Sequence, residues 1–199
     1  TLRRLNLATI GADFLSRFAN LRSLDLRDNL INSIPDGLQV LTQLTELRLA
    51  GNQIVIDEAG MARLSVLTQL RTLDLAHNPI GRLPPLGPLE NLQRLSLRDT
   101  GLAELPVEVY MHPQLEDIDL RDNNINDMSP SLARSRRRLA GLSLHDNPLP
   151  EATQAALRTT MGEDAAVALP LRRHVPGGQE SLELWLAGST DRERTVREV

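Results

Sequence analysis

The sequence predicts an α/β solenoid, a right-handed and curved superhelix with a parallel sheet on its concave side and a helical cap at its C-terminal end. Two observations predict this fold class. The pattern Leu-x-x-Leu-x-Leu-x-x-Asn recurs along the chain, and its copies lie 23, 26, 22, 23 and 24 residues apart. The copies begin at Leu21, Leu44, Leu70, Leu92, Leu115 and Leu139. Repeats of this period stack, and each buries its apolar face on its neighbours.

Each position of the repeat has a mechanical reason. The Leu-x-Leu segment predicts a short strand with its two leucines inward and the intervening residue outward, because side chains alternate along a strand. The ninth position precedes a turn, where an Asn side chain can bond to backbone groups of its own and neighbouring repeats. We predict a structural ladder of Asn29, Asn52, Asn78, Asn123 and Asn147, interrupted once by Thr100.

The second half of the repeats varies. Proline after an apolar pair, as in Ile31-x-x-Ile34-Pro35, favours an extended return path. Residues 83–88, rich in proline, are expected to be extended. Residues 57–67 predict a helix with Asp57 as its N-cap, and residues 131–138 predict one or two helical turns.

The chain divides into three parts. Residues 1–149 are predicted to hold about seven repeats, including a weaker copy at residues 2–10 that puts Asn6, Ala8 and Thr9 in the fifth, seventh and eighth positions. Residues 150–162 predict a capping helix. Residues 163–199 predict a linker and the start of a further helical domain. Because Thr1 opens almost inside a repeat, we expect the chain to be a piece of a longer protein.

Composition narrows the function classes. The formal net charge is −4, which disfavours a general nucleic-acid or lipid binder. The chain has no cysteine, and this favours an intracellular place of work. No apolar run is long enough for a membrane span.

The repeats resemble leucine-rich repeats, and the end of the repeat block resembles that of bacterial effector ubiquitin ligases of the novel E3 ligase class. The resemblance rests on Asp146-Asn-Pro-Leu-Pro150, the helix at residues 151–161 and the segment Glu183-Leu-Trp-Leu-Ala187. It implies that Trp185 lies near the start of an all-helical catalytic domain, which the repeats can also restrain. The repeats here are longer than those of enterobacterial members, and the catalytic Cys-x-Asp motif has no counterpart in this chain.

The third, fifth, seventh and eighth positions are expected to form columns on the concave face. We interpret this face as a protein-binding surface that specifies its partner by charge, with Arg27, Arg98 and Arg121 pairing with the partner. The alternative is a solvated face whose arginines and aspartates pair with each other. We predict these partner-binding residues: Asp25, Arg27, Arg48, Asp74, His77, Arg94, Arg98, Asp119, Arg121 and His145.

Other chemistry is weakly supported. His145 beside Asp122 and Asp146, and His77 beside Asp74, are metal-ligand types, but exposed His–Asp neighbours are usually simple pairs, so we predict no metal or cofactor. Ser96 and Ser143 lack the context of a nucleophile, so no catalytic residue is predicted. The arginines at 134 and 136–138 are expected to be a solvated convex segment, the alternative being a dock for an acidic partner or phosphate.

We therefore expect a monomeric protein-interaction module that recognises the substrate of a bacterial effector ubiquitin ligase. Its partner would be a host protein, held on the concave face in the host cytoplasm while the catalytic domain transfers ubiquitin. The alternative is a cytoplasmic leucine-rich-repeat scaffold or signalling adaptor with no ubiquitin chemistry.

Overall fold

The computed structural model of the chain describes residues 1–81, 83, 85–128, 132 and 141–161. Six strands form one sheet in chain order, each parallel to the next. The strands are β1 (Ser23–Asp25), β2 (Glu46–Arg48), β3 (Thr72–Asp74), β4 (Arg94–Ser96), β5 (Asp117–Asp119) and β6 (Leu142–Ser143). The predicted solenoid with its parallel sheet is confirmed.

The strand register follows the repeat. The fourth position of one repeat pairs with the fourth position of the next, as Leu47 does with Leu73 and Leu73 with Leu95. These three side chains are buried, whereas the residues beside them on each strand are more exposed. The leucines of the sixth position are buried as well, so the core is a continuous aliphatic column behind the sheet.

A ladder of asparagine side chains joins successive repeats. The Asn78 Nδ2 group lies 3.0 Å from the carbonyl oxygens of Leu75 and of Leu49 in the preceding repeat, and its Oδ1 accepts the Ile54 N–H at 2.9 Å. Asn29, Asn52, Asn123 and Asn147 occupy equivalent places and make the same type of bonds. The ladder therefore satisfies buried backbone groups that the short strands leave unpaired.

Thr100 interrupts the ladder. Its hydroxyl lies 2.8 Å from the Leu97 carbonyl oxygen, but it cannot reach back to the preceding repeat as an amide does. The Ile80 N–H instead donates to the Asn78 carbonyl, two residues earlier in its own repeat. The Leu149 N–H makes the same local bond to the Asn147 carbonyl. A missing amide is thus compensated by a tighter local turn.

The predicted register of the first copy is wrong. The Leu2 N–H donates to the Asp25 carbonyl and the Asn29 side chain donates to the Leu2 carbonyl, so Leu2 holds the sixth position rather than the first. Leu5 then stands where the asparagine should be and is 55% exposed. The error arises because Leu2, Leu5 and Leu7 are spaced by three and two residues. Positions one, four and six of the repeat have this spacing, and so do positions six, nine and eleven. Asn6, Ala8 and Thr9 consequently lie in the return segment.

Of the other described elements, one precedes β1, three connect strands and one follows β6. They are α1 (Ala12–Ser16), a 3₁₀ turn (Leu38–Val40), α2 (Glu58–Ser65), α3 (Val107–Met111) and α4 (Glu151–Met161). Asp57 caps α2 as expected and accepts the Gly60 N–H at 2.7 Å. Leu157 of α4 is buried in the core cluster.

Several predictions concern other parts of the chain. Of the proline-rich segment 83–88, the described residues are not helical. The helical turns at 131–138 and the arginines within them lie outside the described residues, apart from Leu132. The linker and the domain start at 163–199, with Trp185, also lie outside them. None of the helices in the described part is long and apolar enough to cross a membrane.

Replacing Leu73 by Ala is expected to lower the free energy of unfolding by about 2–5 kcal/mol, because the side chain is fully buried between two repeats. Chemical denaturation of the two proteins measures this. Replacing the exposed Val55 by Ala provides the control and is expected to change stability little. Equal stability of L73A and the native chain would contradict the register.

Replacing Thr100 by Asn is expected to raise the free energy of unfolding by about 0.5–2 kcal/mol, because the amide restores the bridge to the preceding repeat. Thermal and denaturant unfolding measure the gain. Thr100→Val, which loses the hydroxyl at similar volume, is expected to be destabilised. A T100N protein no more stable than T100V would show that the ladder does not act as described.

Candidate functional site

The surface of the sheet turned away from the leucine core is the candidate site, and we call it the concave face. Strand pairing aligns the fifth positions, and these are Asp25, Arg48, Asp74, Ser96, Asp119 and Ser143. The seventh positions follow two residues later and are Arg27, Ala50, Ala76, Arg98, Arg121 and His145. Acidic and basic side chains therefore lie in adjacent columns.

Two strands carry the same internal ion pair. Arg27 donates from Nε to Asp25 Oδ1 at 3.0 Å and from Nη2 to Asp25 Oδ2 at 2.8 Å. Arg121 binds Asp119 in the same two-point manner, at 2.8 and 2.7 Å. Such bidentate pairs are stronger and better oriented than single contacts. An aspartate at position five and an arginine at position seven form one unit.

Other arginines of the face also pair within the protein. Arg98 Nε donates to Asp122 Oδ2 of the next repeat at 2.6 Å, and Arg3 makes the equivalent bond to Asp28 at 2.8 Å. Arg48 is paired with Glu46 on its own strand. These pairs match the alternative in which the face satisfies its own charges.

The predicted arginine stripe is therefore not a row of uncommitted cations. The side chains of Arg98 and Arg121 are only 17% and 25% exposed, and each contacts a carboxylate. Arg94 lies at the third position, where its Nε donates to Thr72 Oγ1 at 3.2 Å. His145 lies at the seventh position after β6 and is half-buried.

The pairs change the acidity of their members. The hydrogen bonds from Arg27 lower the pKa of Asp25 to about 2, and the same pair raises the pKa of Arg27. The bond to Asp119 likewise raises the pKa of Arg121. Bonds from Arg3 and Arg4 lower the pKa of Asp28. All these groups are therefore charged at neutral pH.

Asp74 differs from the other acidic residues of the face. It has Ala76 at position seven instead of an arginine, and its Oδ1 accepts only the Ala76 N–H, at 3.2 Å. No arginine, lysine or histidine of the described residues forms an ion pair with it. Burial is the main influence on this carboxyl and raises its pKa.

The middle of the face has little side-chain bulk. Ala50 is half-buried and Ala76 is 6% exposed, and both stand where three other strands carry arginine. Gly51 follows Ala50 with a φ of 66°, and a Cβ there would lie 2.6 Å from Asp28 Oδ1. The middle of the face therefore carries smaller side chains at the seventh position than its two ends do.

The residues at the eighth position adopt a backbone conformation that the turn after each strand requires. In every described repeat its residue has a left-handed φ between 51° and 66°, a region that Asp, Asn, His and Gly adopt more readily than other residues. The residues are Arg4, Asp28, Gly51, His77, Asp99, Asp122 and Asp146. The aspartates of this column therefore mark a turn as well as carrying charge.

The side chain of His77 has a partner that the sequence did not predict. Its Nδ1 lies 3.0 Å from Asp99 Oδ2. Within the described residues, no three His, Asp or Glu side chains are grouped so as to hold a metal ion. Sequence reasoning missed Arg3, Arg4 and Glu46 as charged residues of this face. Arg3 and Arg4 were missed because the first copy was placed in the wrong register.

Comparison with known proteins agrees with this architecture. The family model for the leucine rich repeat matches residues 1–54, and a model of two leucine-rich-repeat copies matches residues 68–107. Tsukushi of Xenopus tropicalis is 31% identical over 74% of this chain and 44% of its own length. Podocan-like protein 1 of Mus musculus is 32% identical over 63% of this chain and 23% of its own.

Solved structures give the same result. A leucine-rich-repeat protein of Leptospira interrogans superimposes with a TM-score of 0.65 and 26% identity, over 78% of this chain and 39% of that one. An internalin of Listeria monocytogenes gives a TM-score of 0.54 and 25% identity, over 74% and 41%. The chain thus spans less than half the length of each of these proteins. With its repeat period, asparagine ladder and parallel sheet, it belongs to the leucine-rich-repeat family.

Proposed function

We propose that this chain is a protein-recognition module that binds its partner on the concave face, around the centre of β2 and β3. The observation that carries the proposal is that many charged side chains, held in place by ion pairs, surround a centre of small residues at Ala50, Gly51 and Ala76. A solenoid presents such a face to extended partners, and paired charges around such a centre favour specificity over bulk hydrophobic adhesion.

The flanking ion pairs suit this role. Arg27 and Arg121 are held by two bonds each, so their remaining donors point in defined directions before a partner arrives. Ordering these long side chains in advance removes part of the entropy cost of binding. Because the charges of Arg27 and Arg121 are already neutralised, a partner would bind these two side chains through hydrogen bonds rather than by net attraction.

The proposal extends to a particular partner class. The exit sequence Asp146-Asn-Pro-Leu-Pro150 resembles that of the novel E3 ligase effectors, and α4 follows it directly. On this proposal the partner is a host protein in the host cytoplasm, presented for ubiquitination by a separate catalytic domain. The relatives reported above do not include a ubiquitin ligase by name. A helical segment with a Cys-x-Asp motif in the same polypeptide would support this extension, and without one an adaptor is the remaining candidate.

Replacing Ala50 by Gln is expected to weaken partner capture by about tenfold, since a neutral side chain of moderate size would fill the centre of small residues on the face. Immobilised native and variant chains are compared by quantitative mass spectrometry of proteins captured from a host-cell extract. Ala62→Gln in α2 is the matched control, because Ala62 is exposed on the opposite side. Loss of capture in A62Q with retention in A50Q would reverse the assignment of the face.

The chain itself is expected to transfer no ubiquitin, because it has no cysteine to accept a thioester. Charged conjugating enzymes are incubated with the chain, and loss of their thioester-linked ubiquitin is followed on non-reducing gels. A cysteine-dependent ligase serves as the positive control. Discharge above the spontaneous rate would indicate a ligase that does not form its own thioester, and would overturn the cysteine-based extension.

A further inference from the structure

Three aspartates on the concave face have the same local structure. Asp25, Asp74 and Asp119 all hold the fifth position, at the end of β1, β3 and β5. In each, Oδ1 accepts the backbone N–H two residues later, at 3.1, 3.2 and 3.1 Å respectively. This bond orients the three carboxylates alike relative to their strands.

Arginine side chains bind two of these three carboxylates. Arg27 and Arg121 reach back along their own strands and bind both oxygens of Asp25 and Asp119. Ala76 supplies only a methyl group at the corresponding place beside Asp74. Asp74 therefore retains a defined acceptor geometry for a guanidinium that its own strand does not provide.

The neighbouring cations are engaged elsewhere. Arg27 is bound to Asp25, and Arg48, although in register with Asp74, is paired with Glu46. Of the carboxylates of Asp25, Glu46 and Asp74, only that of Asp74 has no guanidinium of the described residues bound to it.

The environment of Asp74 opposes its charge. Burial raises the pKa of this carboxyl, whereas bonds from Arg27 lower the pKa of the equivalent Asp25. Arg27, Arg48 and His77 lie near enough to lower the pKa of Asp74, but burial outweighs them, so a directly bound cation would offset a remaining cost in free energy.

We propose that Asp74 binds an arginine side chain of the protein partner, which occupies the place that Arg27 and Arg121 fill on their own strands. The inference rests on the proposed function and specifies the chemistry of the partner at one point. Arginine fits better than lysine because its planar fork matches both carboxylate oxygens, whereas an ammonium is a strongly hydrated point charge. Asp74 is partly exposed, and on the β2 side the seventh position holds only Ala50.

The test uses a short probe and a local readout. The native chain is titrated with acetyl-Gly-Arg-Gly-amide up to about 20 mM, a range suited to a millimolar affinity. NMR follows the Asp74 carboxyl carbon and the Ala76 amide. The arginine peptide is expected to shift both signals and to lower the pKa of Asp74. A peptide with lysine in place of the arginine should cause smaller shifts of both signals. A peptide with the uncharged analogue citrulline at that place should cause none.

Variants establish where the peptide binds. Asp74→Asn is expected to abolish the response of the Ala76 amide, whereas Asp127→Asn, at an exposed return-segment position, should retain it. Ala76→Arg supplies the missing guanidinium from within, so it should lower the pKa of Asp74 without peptide and block the response. Equal responses to arginine and citrulline peptides, or a full response in D74N, would overturn the proposal.

The same variants separate this inference from the proposed function. D74N is expected to reduce partner capture about tenfold while leaving the melting temperature unchanged or higher, because the lost charge was unfavourably placed. If A50Q leaves capture intact, binding at the concave centre is wrong, whatever the peptides do. If A50Q abolishes capture and D74N does not, the face is right and the arginine site alone is wrong.

Discussion

The structure depends on the side-chain amide at the ninth position of each repeat. Backbone bonds between repeats continue for a few residues past each strand, as from the Asp28 N–H to the Ala50 carbonyl, but they do not reach every buried group at the point where the chain turns away from the sheet. A single carboxamide, as at Asn78, supplies donors to two repeats and an acceptor to the earlier one. Since an unpaired buried backbone group costs about 1–3 kcal/mol, the stacking register is fixed by where these amides fall.

A fixed register turns a one-dimensional pattern into a two-dimensional surface. Position five of each repeat is brought beside position five of the next, and position seven lies beside it on the same strand. Aspartates therefore have different structural roles at different positions of the repeat. Asp25 and Asp119 hold arginines in place, while Asp28 and Asp122 occupy a left-handed turn and accept bonds from the preceding repeat. The residue type alone does not distinguish these roles, but its place in the repeat does.

The sequence predicted the sheet, the buried leucines and the asparagine positions well, because each rests on a strict period. It failed at the first copy for the same reason. Leu2, Leu5 and Leu7 match the spacing of two different sets of positions, and only the backbone bonds to Asp25 and Asn29 separate them. The choice of ion-pair partner was not predictable either. Arg27 turns to its own strand and Arg98 to the next repeat, because Ser96 offers Arg98 no carboxylate at position five.

The contrast between Asp74 and its two counterparts shows how a binding position can be recognised within a repetitive fold. A repeat protein supplies its own controls, since the same local structure recurs with different side chains. Where β1 and β5 complete an ion pair internally, β3 keeps the carboxylate and its backbone bond but not the arginine. At Asp74 burial outweighs the backbone bond and the nearby cations and raises the pKa, whereas the bound Arg27 lowers the pKa of Asp25. Asp74 has the same local geometry as Asp25 and Asp119 but lacks the arginine that stabilises their charge. Folding alone does not explain a charged residue at this position, and a guanidinium from a partner is the simplest group that would supply the missing ion pair.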